Sequence, residues 1–337
     1  LGVEFKTGIE VGKDISLDEL RAQGYEAFYI AIGAQAGRKL GVDGEDAEGV
    51  ISGVDFLREA NLGNEVDVKG KVVVVGGGNV AIDVARTATR AGASTVEMYC
   101  LESREEMPAL DEEIEEALSE DVGINNSWGP KRILTEKGKV VGVEFKKCIS
   151  VFDENNRFNP KYDEKDTMVV KADKVLLAIG QSIDWGGLLE GSKVELNPNN
   201  TIKVDPFTLQ SAEPDIFAGG DVATGPKFAI DAIALGQEGA ISIHRYVQPG
   251  QDLILGRDRK EYKAFDKENL ELEGYDRIPR QRTPHVDGSK AKETFKDLRP
   301  TLTEDQVKKE TERCLSCGAT VVDQYICVGC GQCTTKC

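Results

Sequence analysis

Six cysteines near the end of the chain carry its clearest chemical pattern. The last four have the C-x2-C-x2-C-x3-C spacing that is typical of a ferredoxin-type [4Fe–4S] site, and a separate C-x2-C pair precedes them. An iron–sulfur cluster transfers single electrons, so this segment predicts an electron-transfer role. The predicted cluster ligands are Cys314, Cys317, Cys327, Cys330, Cys333 and Cys337.

A structural zinc site is the main alternative, because paired C-x2-C elements are also typical of zinc ribbons. Zinc takes four ligands and would leave Cys333 and Cys337 unused, which favours iron–sulfur. In two-cluster ferredoxins the fourth cysteine of such a run binds the other cluster. Cys337 could therefore share a cluster with Cys314 and Cys317, and both the number of clusters and the sharing of ligands stay open.

A glycine-rich turn in the middle of the chain has the pattern of a dinucleotide site. The apolar run Lys71–Val75 predicts a strand, the next six residues have G-x-G-x-x-A spacing, and a helical pattern then continues to Ala91. Strand, turn and helix in this order predict the first unit of a Rossmann fold, with the pyrophosphate at the helix N-terminus. The residues predicted to contact it are Gly76, Gly78, Asn79, Val80 and Ala81.

Two charged residues after the next predicted strand, Thr95–Cys100, bear on the choice of coenzyme. Glu102 lies about 24 residues after Gly78, near the spacing of the acid that binds the adenosine ribose and repels a 2′-phosphate. This favours NADH. Arg104 could still serve a phosphate, and a solvated turn is the alternative for both residues.

Three more segments have a buried strand followed by glycine: residues 27–33, 174–180 and 215–221. The last ends in Gly-Gly-Asp221, whose carboxylate could accept hydrogen bonds from sugar-alcohol hydroxyls. A helix of small residues, 229–243, would follow with its N-terminus towards an anionic or electron-rich ring. The alternative role for Asp221 is to cap that helix.

Composition and charge narrow the class of protein. A length of 337 residues suggests two or three domains, and the formal net charge of −17 argues against nucleic-acid binding. We expect no membrane span, and free cysteines without an export signal indicate the cytoplasm. The opening residues Leu1–Phe5 are predicted to be a buried strand already under way. We expect the sequence to be cut at both ends.

Taken together, these segments resemble the two-dinucleotide-binding flavoproteins. The resemblance is to the small subunit of glutamate synthase and its relatives, including the large subunit of NADH-dependent ferredoxin:NADP oxidoreductase. The helix leading into the cysteines, with a capping box from Thr303 to Gln306, belongs to the same pattern. The other matching segments are Ala31–Gly33, Gly76–Ala81, Ser103–Ala109, Ala178–Gly180 and Ile216–Asp221.

The resemblance implies an α/β fold in which an NAD(P)H-binding domain is inserted in a FAD domain, both Rossmann-like, with a small C-terminal ferredoxin-like segment. The FAD contacts it implies are Gly33, Gly180, Gly220, Asp221 and Ala229. The implied segments are a first FAD segment at 1–64, the nucleotide domain at 65–178, a second FAD segment at 179–248, a linker at 249–300 and the iron–sulfur segment at 301–337.

The implied function is an oxidoreductase subunit that passes electrons from NADH through FAD to [4Fe–4S] clusters and then to ferredoxin or a partner subunit. NADP-using relatives carry paired arginines where this chain has Leu101 and Glu102, which strengthens the preference for NADH. The C-terminal position of the cysteines favours a multi-cluster, hetero-oligomeric and even electron-bifurcating enzyme over a glutamate synthase subunit.

Three alternatives stay open. The first is a glutamate synthase-type small subunit that feeds a large catalytic subunit, and the second is a non-catalytic, cluster-bearing docking subunit. The third is a disulfide reductase of the thioredoxin reductase type. That reaction needs a redox-active C-x2-C facing the flavin, and neither Cys100 nor Cys148 has a partner at that spacing.

Overall fold

The computed structural model describes residues 2–257, 266, 278–284, 286–314 and 327–331. The chain divides into two compact units. The larger comprises Leu1–Lys260 with Asp287–Phe295, and the smaller comprises Glu261–Val286 with Lys296–Cys337. Within the described residues, no helix is both long enough and apolar enough to cross a membrane.

The helices are α1 (Leu17–Ala22), α2 (Gly53–Asn61), α3 (Asn79–Arg90), α4 (Asp111–Ser119), α5 (Asp221–Thr224), α6 (Ala229–Tyr246), α7 (Gly288–Ala291) and α8 (Glu304–Glu312). The strands are β1 (Phe28–Ile30), β2 (Ala36–Gly37), β3 (Val50–Ser52), β4 (Lys71–Val75), β5 (Thr95–Tyr99), β6 (Gly123–Asn125), β7 (Trp128–Glu136), β8 (Lys139–Phe152), β9 (Phe158–Lys171), β10 (Lys174–Leu177), β11 (Gln181–Ser182) and β12 (Ile216–Ala218).

A five-stranded parallel sheet with the order β3-β10-β4-β5-β6 forms the centre of the larger unit. Successive side chains of a strand point to opposite faces of the sheet, and in β4 the side chains on both faces are buried. Val72 and Val74 pack with α3 in one core, whereas Val73 and Val75 pack in a second core with the antiparallel sheet β7-β8-β9. The layers are therefore helices, parallel sheet and antiparallel sheet, which confirms the predicted α/β fold.

The sheet begins earlier in the chain than the predicted nucleotide domain. Strand β3 pairs in parallel with β10, and α2 packs against α3, so residues 50–61 belong to this layer rather than lying outside it. The predicted boundary at residue 64 does not coincide with an edge of the sheet. The turn of the β8–β9 hairpin lies at 153–157, and Tyr162–Thr167 are within β9.

A second parallel pair, β1 with β12, forms a smaller core in the same unit. Strands β2 and β11, which come shortly after Gly33 and Gly180, pair antiparallel. The prediction of a buried strand at the start is wrong. Residues 2–5 are exposed and contain no strand, and Phe5 keeps 87% of its surface accessible because no element packs over it.

Residues 249–257 and 287–295, both in the larger unit, together with the smaller unit make up the described part of the predicted linker and C-terminal segment. Lys292 pairs with Asp121 at 2.6 Å, which fixes α7 near the end of α4 in the larger unit. In the smaller unit, α8 has the predicted capping box between Thr303 and Gln306. The Gln306 side chain also donates to the carbonyl of Arg282 at 3.1 Å.

Candidate functional site

The turn after β4 is closed in a way that only glycine allows at its first position. The backbone N–H of Gly76 donates to the carbonyl of Tyr99 at 2.9 Å, which joins the ends of β4 and β5. Gly76 has φ +145°, and a Cβ there would lie 2.3 Å from the carbonyl oxygen of Ala178. A side chain at this position would force the backbone of β10 away from the turn.

Helix α3 begins at this turn with its first N–H groups left available. Gly78 is the N-cap residue, and no side chain caps the helix. A Cβ on Gly78 would meet nothing closer than Pro108, at 3.9 Å, so the backbone is open on that side. Free N–H groups and the positive end of a 12-residue helix suit a phosphate. Ala81 is fully buried and Val80 packs partly against the same core.

Glu102 lies against this turn, as the sequence predicts for a ribose-binding acid. Its Oε2 is 2.8 Å from the position that a Cβ on Gly77 would take. The loop carrying it is fixed by its own carbonyl, which accepts from the N–H of Ser127 at 2.9 Å and from the amide of Asn126 at 3.2 Å. Sequence reasoning missed Gly77 and Asn126. Only the Gly-Gly-Gly repeat pointed to Gly77.

Arg104 forms an ion pair with Asp111, a residue that the sequence patterns do not single out. Its Nη2 lies 2.9 Å from Oδ1 of Asp111, and both side chains are exposed to solvent. Asn79, predicted to contact the cofactor, uses its side-chain oxygen to accept from the N–H of Leu110 at 2.9 Å. Asn79 therefore connects the start of α3 to the loop that carries Glu102 and Arg104.

A buried thiol lies beneath the same turn. Cys100 Sγ would be 3.4 Å from a Cβ on Gly77 and accepts from Asn126 Nδ2 at 3.3 Å. Burial, with a smaller contribution from the charge of Glu102, raises the pKa of the Cys100 thiol to about 12. Burial also raises the pKa of Cys148. Both cysteines are free and protonated at neutral pH, which does not suit a thiolate redox pair.

The turn after β12 places Gly220 and Asp221 at the carboxyl end of the second sheet. Gly220 has φ +76° and precedes α5, and Asp221 is half-buried. Oδ1 of Asp221 accepts from the N–H of Lys227 at 3.1 Å, before α6 begins, so Asp221 does not cap α6. Ala229 is the first residue of α6 and is exposed, and its N-cap residue Phe228 makes no side-chain cap bond.

Gly33 and Gly180 both have positive φ, +70° and +112°; Gly33 lies three residues before β2, and Gly180 lies directly before β11. The carbonyl of Gly180 accepts from the N–H of Arg38 at 3.2 Å. Gly33 lines an open cleft of about 1060 Å³ at the carboxyl ends of β1, β3 and β10. This is the edge at which parallel sheets bind ligands. Ile32, Arg38, Ser52, Arg58 and Leu177 also line it.

Three of the six predicted cluster ligands can be located. Cys314 follows α8, and Cys327 and Cys330 are exposed. Cys317, Cys333 and Cys337 lie outside the described residues. Among the residues that the structure does describe, no group of three or more His, Cys, Asp or Glu side chains is arranged to hold a metal ion. The iron–sulfur assignment therefore stays a prediction from the cysteine spacing.

The fold and the two glycine turns define an α/β protein with two Rossmann-type regions, and the β2–β11 pair lies where the chain passes between them. The chain belongs to the pyridine nucleotide-disulphide oxidoreductase family, whose profile matches residues 2–236.

Three relatives are named as a formate dehydrogenase subunit, an Fe(3+) oxidoreductase subunit and a glutamate synthase small chain. The chain is 34% identical over 94% of its length to the NADP(+)-dependent formate dehydrogenase subunit beta of Moorella thermoacetica, covering 46% of that protein. It is 31% identical over 94% of its length to the NADPH-Fe(3+) oxidoreductase subunit beta of Geobacter sulfurreducens, covering 52%. It is 31% identical over 74% of its length to the glutamate synthase [NADPH] small chain of Escherichia coli, covering 56%. The chain thus spans about half the length of these relatives.

Solved structures support the fold. Mycobacterium tuberculosis FprA in complex with NADPH aligns with a TM-score of 0.58 at 18% identity, over 71% of this chain and 67% of that one. The thioredoxin reductase of T. acidophilum aligns with a TM-score of 0.50 at 22% identity, over 65% of this chain and 64% of that one. These likenesses concern the backbone architecture alone.

Proposed function

We propose that the chain is the coenzyme-binding part of an oxidoreductase subunit that takes electrons from NADH. They would leave through FAD and [4Fe–4S] clusters to ferredoxin or a partner subunit. The observation that carries this proposal is the turn Gly76–Gly78, which is open at the uncapped start of α3 and has Glu102 beside it. The cysteine run in the same chain supplies a reason for electrons to continue beyond a flavin.

The residues of the first turn fit a dinucleotide. A Cβ at Gly76 would collide with Ala178, whereas Gly78 leaves room on the side where the helix N–H groups are free. In this proposal the backbone N–H groups of Asn79 and Val80 hold the pyrophosphate, and Ala81, whose N–H donates to the carbonyl of Gly78, keeps the first turn of α3 close to it. Glu102 accepts hydrogen bonds from the adenosine ribose.

The second turn fits FAD. Gly220 adopts a conformation that favours glycine, and the half-buried Asp221 retains Oδ2 for a ribityl hydroxyl while Oδ1 accepts from Lys227. We assign Gly33, Gly180 and Ala229 to the same cofactor as backbone contacts. When bound, the two cofactors supply hydride transfer from nicotinamide to flavin and onward release of single electrons. The protein's contribution is to hold the rings in contact and exclude water.

Partners and clusters are proposed from the cysteines and the relatives. Both relatives matched over 94% of the chain are named as subunits beta of larger enzymes, so we propose a hetero-oligomer. The glutamate synthase small chain matches a smaller share of this chain, 74%, which leaves that alternative second. Ferredoxin as final acceptor rests on the cluster motif alone.

The coenzyme is proposed to be NADH because the carboxylate of Glu102 faces the turn and would repel a 2′-phosphate. The names of the relatives point the other way, since they specify NADP(+) and NADPH. Both coenzymes therefore have to be measured on the same preparation.

The test is an anaerobic absorbance titration of the full-length native protein with NADH and, separately, with NADPH. We expect flavin and iron–sulfur bands to bleach with NADH. Bleaching by NADPH alone would overturn the coenzyme assignment and retain the oxidoreductase. If neither coenzyme bleaches any band and metal analysis finds zinc instead of iron, the electron-transfer proposal is wrong and the docking-subunit alternative gains support.

The Glu102→Gln variant sharpens the coenzyme assignment. Removing this charge should raise the efficiency with NADPH relative to NADH by about tenfold, since it removes a carboxylate that repels a phosphate dianion. Glu105→Gln is the matched control, because Glu105 is an exposed acid in the same loop. Equal effects of the two substitutions would show that only overall charge matters.

A further inference from the structure

The loop between β5 and α4 folds back onto the start of α3. The side chain of Asn79 accepts from the N–H of Leu110 at 2.9 Å. Pro108, in the same loop, is the nearest neighbour of the position that a Cβ on Gly78 would take. The loop is therefore anchored at the first turn of the helix, and its charged residues have a fixed relation to the glycine turn.

Arg104 is the only basic residue in the segment 101–110, which also contains Glu102, Glu105 and Glu106. A 2′-phosphate entering beside Glu102 would need a cation, and within this loop only Arg104 can supply one. The guanidinium is already paired, however, because Nη2 lies 2.9 Å from Oδ1 of Asp111. Whether the Arg104 guanidinium is paired with Asp111 therefore determines whether the loop offers a cation to a 2′-phosphate.

Asp111 is well placed to hold the guanidinium. It is the first residue of α4, directly after Leu110, whose N–H is bound by Asn79. A negative charge in the first turn of a helix interacts favourably with the helix dipole. The connection therefore runs from the start of α3 through Leu110 to Asp111 and on to Arg104.

We propose that Asp111 is a specificity-determining positioning residue that pairs with Arg104 and so withholds this cation from a 2′-phosphate. Glu102 then sets the preference for a coenzyme with a free ribose hydroxyl. The proposal rests on the function proposed above, in that it takes the glycine turn as a dinucleotide site. It adds a residue that does not touch the coenzyme.

Binding of two small probes tests the proposal without hydride transfer. The dissociation constants of 5′-ADP and 2′,5′-ADP are measured by titration calorimetry on the full-length protein and on Asp111→Asn. Exposed ion pairs are weak, so we expect 2′,5′-ADP to bind about three- to fivefold more tightly to the variant. Binding of 5′-ADP should stay unchanged within about twofold.

Two further variants separate this effect from general charge. The double variant Arg104→Gln/Asp111→Asn should lose the gain, because the released cation is missing. Glu115→Gln removes one exposed carboxylate from the same helix and should leave the ratio of the two constants unchanged. A gain of equal size in Glu115→Gln, or one that persists in the double variant, overturns the proposal.

The failure of this inference can be told apart from failure of the proposed function. If 5′-ADP binds and Asp111→Asn leaves the ratio unchanged, Asp111 has no role in specificity and the dinucleotide site stands. If neither probe binds the unmodified protein, both the site and the role of Asp111 are refuted. A parallel rise in kcat/KM for NADPH relative to NADH in Asp111→Asn would add support from turnover.

Discussion

The turn after β4 and the turn after β12 each join a short strand to a helix through glycines. The two regions differ in how many strands flank the turn and in how deeply the helix is buried. Strand β4 lies in the middle of five parallel strands, and α3 buries five of its residues in the core. Strand β12 pairs with β1 in a two-stranded sheet, and α6 buries only Gly239 and Ser242 of its 18 residues. Phe228 and Ile230, at the start of α6, are 70% and 68% exposed.

The difference also concerns what the glycines contact. Gly76 is required by a neighbouring backbone, the carbonyl of Ala178. In the second region Gly219 and Gly239 are required by one side chain, because a Cβ on either would lie within 2.1 Å of Tyr29. A backbone contact cannot be relieved by a side-chain substitution, whereas a side-chain contact can. Substitutions in the first turn should therefore act like changes in a packed core. The effect of substitutions in the second region should depend on one side chain, Tyr29.

Substitution of Gly76 should have the largest effect. Gly76→Ala combines an unfavourable φ with a Cβ 2.3 Å from a backbone oxygen, and we expect the free energy of unfolding to fall by about 3 kcal/mol. The measurement is urea unfolding followed by circular dichroism, with binding of 5′-ADP on the same sample. Wild-type stability in this variant would contradict the account of the turn.

Gly78→Ala is the control within the same turn. Gly78 has φ −91° and no neighbour closer than 3.9 Å, so stability should change by less than about 0.5 kcal/mol. The added methyl takes space needed by a pyrophosphate, so affinity for 5′-ADP should fall by about tenfold. Loss of stability with unchanged affinity would reverse the roles assigned to the two glycines.

In the second region, the effect of Gly239→Ala on the free energy of unfolding should change sign when the Tyr29 side chain is removed. Gly239→Ala places a Cβ 2.1 Å from the Tyr29 ring and should destabilise the protein by about 1 kcal/mol, since overpacking exceeds the gain in helix propensity. In a Tyr29→Ala background the same substitution should stabilise by up to about 1 kcal/mol. Chemical denaturation of the four proteins gives the coupling between the two sites.

Gly236→Ala is the matched control in the same helix. Apart from its chain neighbours and its own helix backbone, no atom lies within 4 Å of its Cβ position, so the substitution should be stabilising by up to about 1 kcal/mol whether or not Tyr29 is present. If Gly239→Ala behaves like this control, the Tyr29 ring does not exclude a side chain at position 239, and the proposed difference between the two regions is lost.

The same comparison indicates which features the sequence could predict. Strand Lys71–Val75 and the start of α3 are confirmed, because a continuous apolar run followed by helical periodicity is a local signal. The sequence could not show that β3 belongs to the same sheet as β4, or that α2 packs beside it, because the pairing of β3 with β10 connects residues far apart in the chain. The short strands β1 and β10 also end three residues before the glycines that were predicted to terminate them.

The candidate site was predictable to a similar depth. The spacing of Glu102 from the glycines indicated that it would approach the turn, and its carboxylate lies against Gly77. The pairing of Arg104 with Asp111 had no sequence signal, because it depends on the loop folding back onto Asn79. The roles of these residues in binding stay predictions.

The buried thiol of Cys100 reports how tightly the first turn is closed. Burial under Gly77 raises the pKa of this thiol from 9.0 to about 12, so the unfolded chain releases the proton first. Stability contributed by the thiol therefore falls as pH rises through 9 and stops falling near 12, by on the order of 1 kcal/mol between pH 7 and pH 10. Unfolding of the wild type and of Cys100→Ala under reducing conditions isolates this effect, because the other titrating groups cancel. A difference between the two proteins that does not change with pH would mean that water reaches the thiol, and the first turn would then be no better enclosed than the second.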